Sequence, residues 1–522
     1  MRLAELTGAD VPGLLGVSPG CEDVEIAQLA YDSRAVAPRA LFFCVPGHER
    51  DGHEFAVAAV ASGAAALVLE RSLGLGVPEL LVESVRDAMG PIAVRFYDDP
   101  TSRLQVLGVT GTNGKTTSAH LLRHLIEAQG ERCGLLGTVR TVIAGSERDA
   151  DWGSIPHSRH AAGAPIGQRT TPEAIDLQRD FRAMLDGGDA YCAMEVSSHA
   201  LSLQRTRGTR FAAAIFTNLT QDHLDFHATM EDYFQAKRQL FLPVDGLPAP
   251  AVSVVNVDDP YGRRLVGELD RAVTFAIDGD ADYRAHHLRT DLSGSRFRLS
   301  TPDGERSISL PLAGRYNVAN ALAALAACHA LGGQLDVLVA GLESGVRVPG
   351  RLEPVEEGQG FAVLVDYAHT PDSLENVLSA AHGLGDGRVI CVFGAGGDRD
   401  RGKRPLMGEI GARLADVLVV TSDNPRSEDP EQILAEIMAG ARSAERPARA
   451  PAVEAQVDRR AAIERAVDIA RDGDVLVIAG KGHEQGQELA GGMKVPFDDV
   501  TVAREALRCR RQTKAATGAR GG

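Results

Sequence analysis

Val109-Thr110-Gly111-Thr112-Asn113-Gly114-Lys115-Thr116-Thr117 decides the fold. An apolar run, Leu104 to Val109, leads into it. Thr116 to Gln129 follows, with Leu121, Leu122, Leu125 and Ile126 at helical spacing. Gly130 is a natural stop for that helix. Strand, glycine-rich turn and helix in this order open a doubly wound α/β domain. The glycines let backbone N–H groups turn toward a phosphate, Lys115 supplies a point charge, and Thr116 offers a hydroxyl to Mg²⁺. The general pattern asks for a glycine five residues before Gly114, where this chain has Val109. A glycine-rich turn with an incidental lysine is the bland alternative. It is outweighed by Lys-Thr-Thr opening a helix directly after a buried strand, so the loop is expected to cradle the phosphates of ATP.

Further apolar runs extend the pattern on both sides. Phe55 to Gly63 reads as a short helix and Ala65 to Leu69 as a buried strand, within a first unit of residues 1–102. Pro100 disfavours helix at Asp99, so Tyr97 to Pro100 reads as a linker. Residues 103–347 form a second unit, with central strands expected at Tyr191 to Val196, Ala213 to Thr217 and Ala251 to Val257. The polar stretch from Ala144 to Gln168 reads as a surface loop. A third unit, residues 348–522, carries four more buried strands at Phe361 to Val365, Val389 to Phe393, Val417 to Thr421 and Val475 to Ala479. The tail beyond Arg508 is expected to fray. No internal repeat is visible.

Size and composition fit this division. The 522 residues suit about three domains at roughly 100–200 residues each. The net charge of −16, without a long basic run, argues against a general nucleic-acid binder. The 7 cysteines form no CxxC pair, and several sit among apolar neighbours, as in Phe43-Cys44-Val45. They read as reduced core cysteines of a cytoplasmic protein. The first ten residues lack a secretory signal's apolar core, and no apolar stretch reaches the roughly 18 residues of a membrane span.

The loop from Thr110 to Thr117 closely resembles the ATP loop of the Mur ligases and folylpolyglutamate synthases, and other segments match in order over residues about 30 to 500. Met194-Glu195-Val196-Ser197-Ser198-His199 resembles a metal and substrate segment. Thr217 to Asp225, which contains His223, resembles a second magnesium segment. Asn317-Val318-Ala319-Asn320 resembles the adenine-contacting helix start. Gly350-Arg351 and Asp366-Tyr367-Ala368-His369-Thr370-Pro371 resemble segments facing ribose and phosphates.

The resemblance implies three α/β domains: an amino-terminal UDP-binding domain, a central phosphate-loop domain with a parallel sheet, and a carboxyl-terminal Rossmann-like domain. It implies an ATP-dependent, ADP-forming ligase that phosphorylates a carboxylate and lets an amine attack the acyl phosphate. ATP would be bound by Gly111, Thr112, Asn113, Gly114, Lys115, Thr116, Thr117, Asn320, Arg351, Asp366 and His369. Thr116, Glu195, His223 and Lys237 would hold Mg²⁺. Lys237, matching the family's carbamylated lysine, would do so as a carboxylate-like anion. From the residues alone, Lys237 is a solvated helix residue, His223 a turn residue and Glu195 half of a buried ion pair. Lys115, Glu195, His223 and Lys237 form the expected catalytic set.

Within the family, Asp32-Ser33-Arg34 with Gly47-His48, Asp423-Asn424-Pro425-Arg426 and Gly480-Lys481-Gly482-His483-Glu484 resemble the members that add diaminopimelate to a UDP-muramoyl dipeptide in peptidoglycan precursor synthesis. Ser33, His48, Thr170, Thr171, Ser197 and Arg205 are then expected on the nucleotide-sugar dipeptide. Thr171-Pro172 serves equally as a plain helix start. Arg399, Asp423, Asn424, Pro425, Arg426, Gly480 and Glu484 are expected around diaminopimelate, with guanidinium on its distal carboxylate and Glu484 and Asp423 on its ammonium. As a bare sequence, Asp-Asn-Pro is a turn opening. Lysine would leave Arg426 unpaired. A lysine-adding or folylpolyglutamate-type ligase is the alternative within the same ATP core. A non-catalytic nucleotide switch is a third reading, one that gives Asn317, Asn320 and His369 no purpose. Only small-molecule partners, no membrane insertion and a monomeric state are expected.

Overall fold

The phosphate-loop strand, Gln105–Thr110, lies inside an eleven-stranded sheet, with Tyr191–Glu195 on one side and Phe211–Phe216 on the other, both parallel to it. The strand that comes first in the domain is thus flanked by two later ones. Where strand order reverses in this way, an open α/β sheet leaves a crevice at its carboxyl ends, and the loop Gly111–Gly114 opens into it. The computed structural model describes residues 1–8, 11–19, 21–47, 50–149, 170–244, 246–444 and 452–518.

Burial on both faces explains the near-continuous apolar runs of the central strands. Leu107, Val109, Ala193, Ala213 and Ile215 pack on the helices Lys115–Ala128 and Arg315–Ala330. Val106, Cys192, Met194, Ala214 and Phe216 pack on the other face against Phe181, Met184, Phe234 and Phe241. Cys133–Leu136 continues the parallel array on one side, and Val252–Asn256 and Val273–Ala276 on the other. Antiparallel hairpins lie at both ends, the second entering through a strand parallel to Val273–Ala276. One is the hairpin Arg140–Ile143 with Ser146–Asp149; the other is the meander Tyr283–Asp291, Gly294–Thr301 and Gly304–Leu310.

An amino-terminal five-stranded sheet runs in the order Leu14–Val17, Glu79–Val82, Ala64–Leu69, Ala40–Phe43, Gln28–Ala30. A carboxyl-terminal six-stranded sheet runs Glu353–Pro354, Ala362–Asp366, Val475–Ala479, Val389–Phe393, Val417–Thr421, Ala452–Gln456, parallel except for its first strand. The architecture is the three-part α/β arrangement expected.

Two expectations need correction. Helix continues past Arg508 over Asp499–Gly518, a stretch rich in helix-forming Ala, Arg, Gln and Lys. Arg510 pins it by donating to the carbonyls of Val467 and Ala470. The loop expected from Ala144 begins instead with the strand Ser146–Asp149, because Ala144 and Gly145, both at positive φ, turn the chain back into a hairpin. The rest of that stretch, to Gln168, lies outside the described residues.

Candidate active site

Two glycines are structurally required in the loop. Gly111 has φ +152°, and a Cβ there would lie 1.9 Å from Thr217 Oγ1. Gly114 has φ +90°, and its Cβ would lie 2.3 Å from Asn320 Oδ1. The segment after Phe211–Phe216 clamps the loop. Thr217 Oγ1 donates to the Asn113 carbonyl at 2.6 Å, the Asn113 N–H donates to Asn218 Oδ1 at 2.9 Å, and Thr112 Oγ1 donates to the Thr220 carbonyl at 3.1 Å. Lys115 Nζ donates to the carbonyls of Gly111 (2.9 Å) and Thr112 (2.8 Å), and burial lowers its pKa. Thr117 is buried in the first turn of the following helix.

Glu195 ends its strand beside this turn. Its carboxylate accepts from Thr116 Oγ1 at 3.0 Å and from the backbone N–H (2.8 Å) and hydroxyl (3.2 Å) of Thr138. Thr116 and Glu195 are adjacent hard oxygen donors of the kind Mg²⁺ takes. Among the described residues no three His, Cys, Asp or Glu gather into a protein-only cage. Lys237 is buried, donates to the Gly111 carbonyl at 2.8 Å and lies 4.5 Å from the centre of the Tyr233 ring. Burial, then repulsion from Lys115, drives its pKa well down. As an ammonium it would repel a cation, whereas a carbamate at this position would offer oxygen donors. His223, at φ +55°, stacks edge-on against His199 at 4.8 Å, with Nε2 3.4 Å from Asp222. Burial lowers its pKa, leaving a neutral imidazole able to ligate.

The carboxyl-terminal domain meets the loop directly. Arg351 donates through Nη2 to Thr116 Oγ1 at 3.0 Å, and Asn113 donates through Nδ2 to Asp372 at 2.7 Å. Lys403, buried and missed in the sequence, stands 4.0 Å from Asp222. Asp366 accepts from the N–H groups of Leu352 (2.7 Å) and Ala368 (2.8 Å), and burial raises its pKa. His369 donates from Nδ1 to the Tyr367 carbonyl at 2.8 Å; burial lowers it to about 4. Asn320 donates to Asn317 Oδ1 at 3.3 Å, which fixes its amide beside Gly114.

Thr170, Thr171, Ser197 and Arg205 gather at the carboxyl end of the Glu195 strand. The Thr138 and Thr170 hydroxyls lie 3.0 Å apart, and Thr171 donates to the Glu195 carbonyl at 2.9 Å while accepting from the Ser197 N–H at 3.1 Å. Arg205 pairs with Glu173 at 3.0 Å and donates to the Thr171 carbonyl at 3.3 Å. Thr171 is therefore no plain helix start, since the helix Ala174–Asp186 has Glu173 at its N-cap. Ser33 begins a turn in the amino-terminal unit, where Asp32 accepts from the Arg34 N–H at 3.0 Å. His48 lies outside the described residues.

Asp423, Asn424, Pro425, Arg426, Gly480 and Glu484 converge past the ends of two parallel strands. Gly480, at φ +113°, lets Asp423 approach, since a Cβ would sit 2.7 Å from Oδ2. Asn424 Nδ2 donates to Glu484 at 2.9 Å. Arg426, at φ +50°, donates from Nε to Glu488 at 2.8 Å and from Nη1 to the Gly397 carbonyl at 2.7 Å. Arg399 is exposed on the neighbouring loop. The sequence reading overlooked two charges. Buried Lys481 already reaches Glu484 and Asn424 (2.9 Å each) and stands 3.6 Å from Asp423, and Glu488 holds Arg426. Glu488 lies 62 residues from Arg426, so no local signal announced that pair, whereas Glu484 follows Lys481 by three residues and only the burial of the lysine was hidden.

Sheet, loop and facing domain define a phosphate-loop α/β enzyme with a second α/β domain set against its nucleotide end. Three family descriptions match in sequence order: Mur ligase family, catalytic domain, over residues 25–97; Mur ligase middle domain over 109–328; and Mur ligase, glutamate ligase domain over 350–482. The chain is 45% identical, over 93% of its length and 95% of the relative's, to the UDP-N-acetylmuramoyl-L-alanyl-D-glutamate–2,6-diaminopimelate ligase of Geobacillus kaustophilus (strain HTA426). It is 46% identical, over 98% and 99%, to the protein of that name from Gloeobacter violaceus (strain ATCC 29082 / PCC 7421). A solved structure of a ligase with the same name superposes with a TM-score of 0.65 at 32% identity, covering 95% of this chain and 98% of that one. The chain belongs to the Mur ligase family, and is an ATP-dependent, ADP-forming amide ligase.

Proposed function

We propose that this ligase joins diaminopimelate to UDP-N-acetylmuramoyl-L-alanyl-D-glutamate in the assembly of peptidoglycan precursors. The observation that carries the reading is the pocket of Asp423, Asn424, Arg426 and Glu484 beyond the sheet that faces the phosphate loop. It offers guanidinium and carboxylate at one place, as the distal amino–carboxyl head of diaminopimelate requires. Similarity along nearly the whole chain to ligases bearing that name supports it.

The chemistry follows from the charges. A carboxylate does not react with an amine at neutral pH, so its oxygen first takes the γ-phosphoryl of ATP. The amine nitrogen then bonds to the acyl carbon, the C–O bond to phosphate breaks, and inorganic phosphate leaves with the bonding pair. Both steps concentrate negative charge, and Lys115, Arg351 and the backbone N–H groups of the loop answer it from one side. Thr116 and Glu195 would hold a magnesium ion, with His223 and carbamylated Lys237 at a second; the ions would supply charge neutralisation to the phosphates. Thr171, Ser197 and Arg205 place the dipeptide carboxylate near Glu195. Arg426, aligned by Glu488, grips the distal carboxylate.

Among the described residues no helix is long and apolar enough to cross a membrane, and the proposed setting is a cytoplasmic monomer working on small molecules. The test is product formation by the purified protein with ATP, the muramoyl dipeptide nucleotide and a panel of amino acids. The reading expects an amide product with diaminopimelate and at least tenfold lower kcat/KM with lysine. Equal use of lysine, or no product with any diaminopimelate isomer, overturns it.

A further inference from the structure

Buried polar groups in folded proteins are almost always hydrogen-bonded, so those that are not call for an explanation. One region concentrates such groups. Both ring nitrogens of His483, Nε of Arg351 and the hydroxyl of Tyr316 are shielded from solvent and have no hydrogen-bond partner among the described residues. They belong to one neighbourhood. The His483 ring stands 5.1 Å from that of Tyr367, the Arg351 guanidinium lies 4.8 Å from the same ring, and the charge of Arg351 reaches both His483 and, after that of Asp366, Tyr316.

The place of His483 is fixed by backbone. Gly350 has φ +65°, and a Cβ there would lie 2.2 Å from the backbone nitrogen of His483. Gly482 has φ +54°, and its Cβ would lie 2.8 Å from Tyr367 Cβ and 2.9 Å from the Gly350 carbonyl. Two glycines thus let the 480–484 turn press on the turn that carries Arg351. On one side of His483, Arg351 reaches Thr116 in the phosphate loop. On the other, Lys481 and Glu484, its chain neighbours, belong to the Asp423–Asn424 cluster. The imidazole therefore lies between the phosphate end and the amino-acid pocket, where an amine must pass to meet an acyl phosphate.

We propose that His483 contacts the incoming amino acid, its imidazole hydrogen-bonding the reacting amino–carboxyl head and orienting the amine toward the activated carboxylate. This rests on the ligase reading above. The ring stays uncharged because burial, then repulsion from Arg351, lowers its pKa to about 3. A neutral ring can both accept from an N–H and donate to a carboxylate.

The test compares His483→Phe and His483→Gln in the full chain. An imidazole left unpaired costs stability, so the Phe variant should melt at or above the wild-type temperature. Its KM for diaminopimelate should rise at least tenfold, with the KM for ATP within twofold. ATP–ADP exchange driven by the dipeptide nucleotide without amino acid should also persist. Gln, which keeps a donor and an acceptor, should recover most of the lost KM. An unmoved amino-acid KM, a parallel loss in all three substrates, or a Phe variant that melts lower or fails to fold overturns the proposal. A wild-type protein that makes no amide product sinks the ligase reading instead.

Discussion

Arg426 shows what a residue's environment adds to its identity. The sequence presents it as a free cation after a turn; the structure ties Nε to Glu488 and Nη1 to a carbonyl, which fixes the plane of the guanidinium. Lysine at this position has one rotating point charge in place of a fork. Arg426→Lys should raise the KM for diaminopimelate tenfold or more, with the KM for ATP changed less than twofold; steady-state kinetics with each substrate varied decides it. Equal losses in both would detach Arg426 from the amino-acid pocket. Lys115, Thr116 and Glu195 were legible because the loop motif and the strand end announce them. Lys481 and Lys403 were not, because Asn424 and Asp222 are brought to them by tertiary folding. A lone lysine in a sequence does not show that it is buried. Lys237 makes the same point, since only the family pattern lifted it above a solvated helix residue, and in the structure it is 1% exposed.

Elements were readable where an apolar run was both buried and long. The parallel strands expected from such runs match within about two residues, whereas Ala40–Phe43 and Cys133–Leu136, fully buried but only four residues long, were not anticipated. The meander Tyr283–Asp291 to Gly304–Leu310 alternates buried and exposed positions, and Ala452–Gln456 is an exposed edge; neither shows an apolar run. Turn geometry gives a prediction at this scale. Gly114→Ala forces an L-residue to φ +90° and drives a methyl toward Asn320 Oδ1, so the loop must shift. ATP affinity by calorimetry should fall at least tenfold, with the melting temperature little changed. A second concerns Arg459, which is fully buried and donates to Asp499 at 2.8 and 2.6 Å and to the Ala479 carbonyl at 2.9 Å. It thereby anchors the strand end from which Gly480 leaves. Arg459→Met strands a buried carboxylate and should cost about 3–5 kcal/mol in urea unfolding, most of it recovered by adding Asp499→Leu.

Across the whole molecule, the three large sheets are arranged so that segments flanking strands of two of them meet at Thr116, Arg351, Asn113 and Asp372. The buried histidines near that meeting set an acid limit. Burial holds His120 to about 3 and His369 to about 4, below the roughly 6.5 of an unfolded histidine. Above pH about 6.5 both states are neutral at these rings. As pH falls, the unfolded chain binds protons the folded chain refuses, so stability drops from about 6.5 toward 4. Thermal melts should show that decline, and His120→Leu should make it shallower; an unchanged slope would contradict the assignment.

The central claim is that the carboxylate is activated by phosphorylation within this cleft. Oxygen-18 placed in the acceptor carboxylate of the dipeptide nucleotide tests it most directly. If an acyl phosphate forms and the amine displaces it, each phosphate released carries one labelled oxygen. Unlabelled phosphate, released at the same rate as the amide product, would contradict the account.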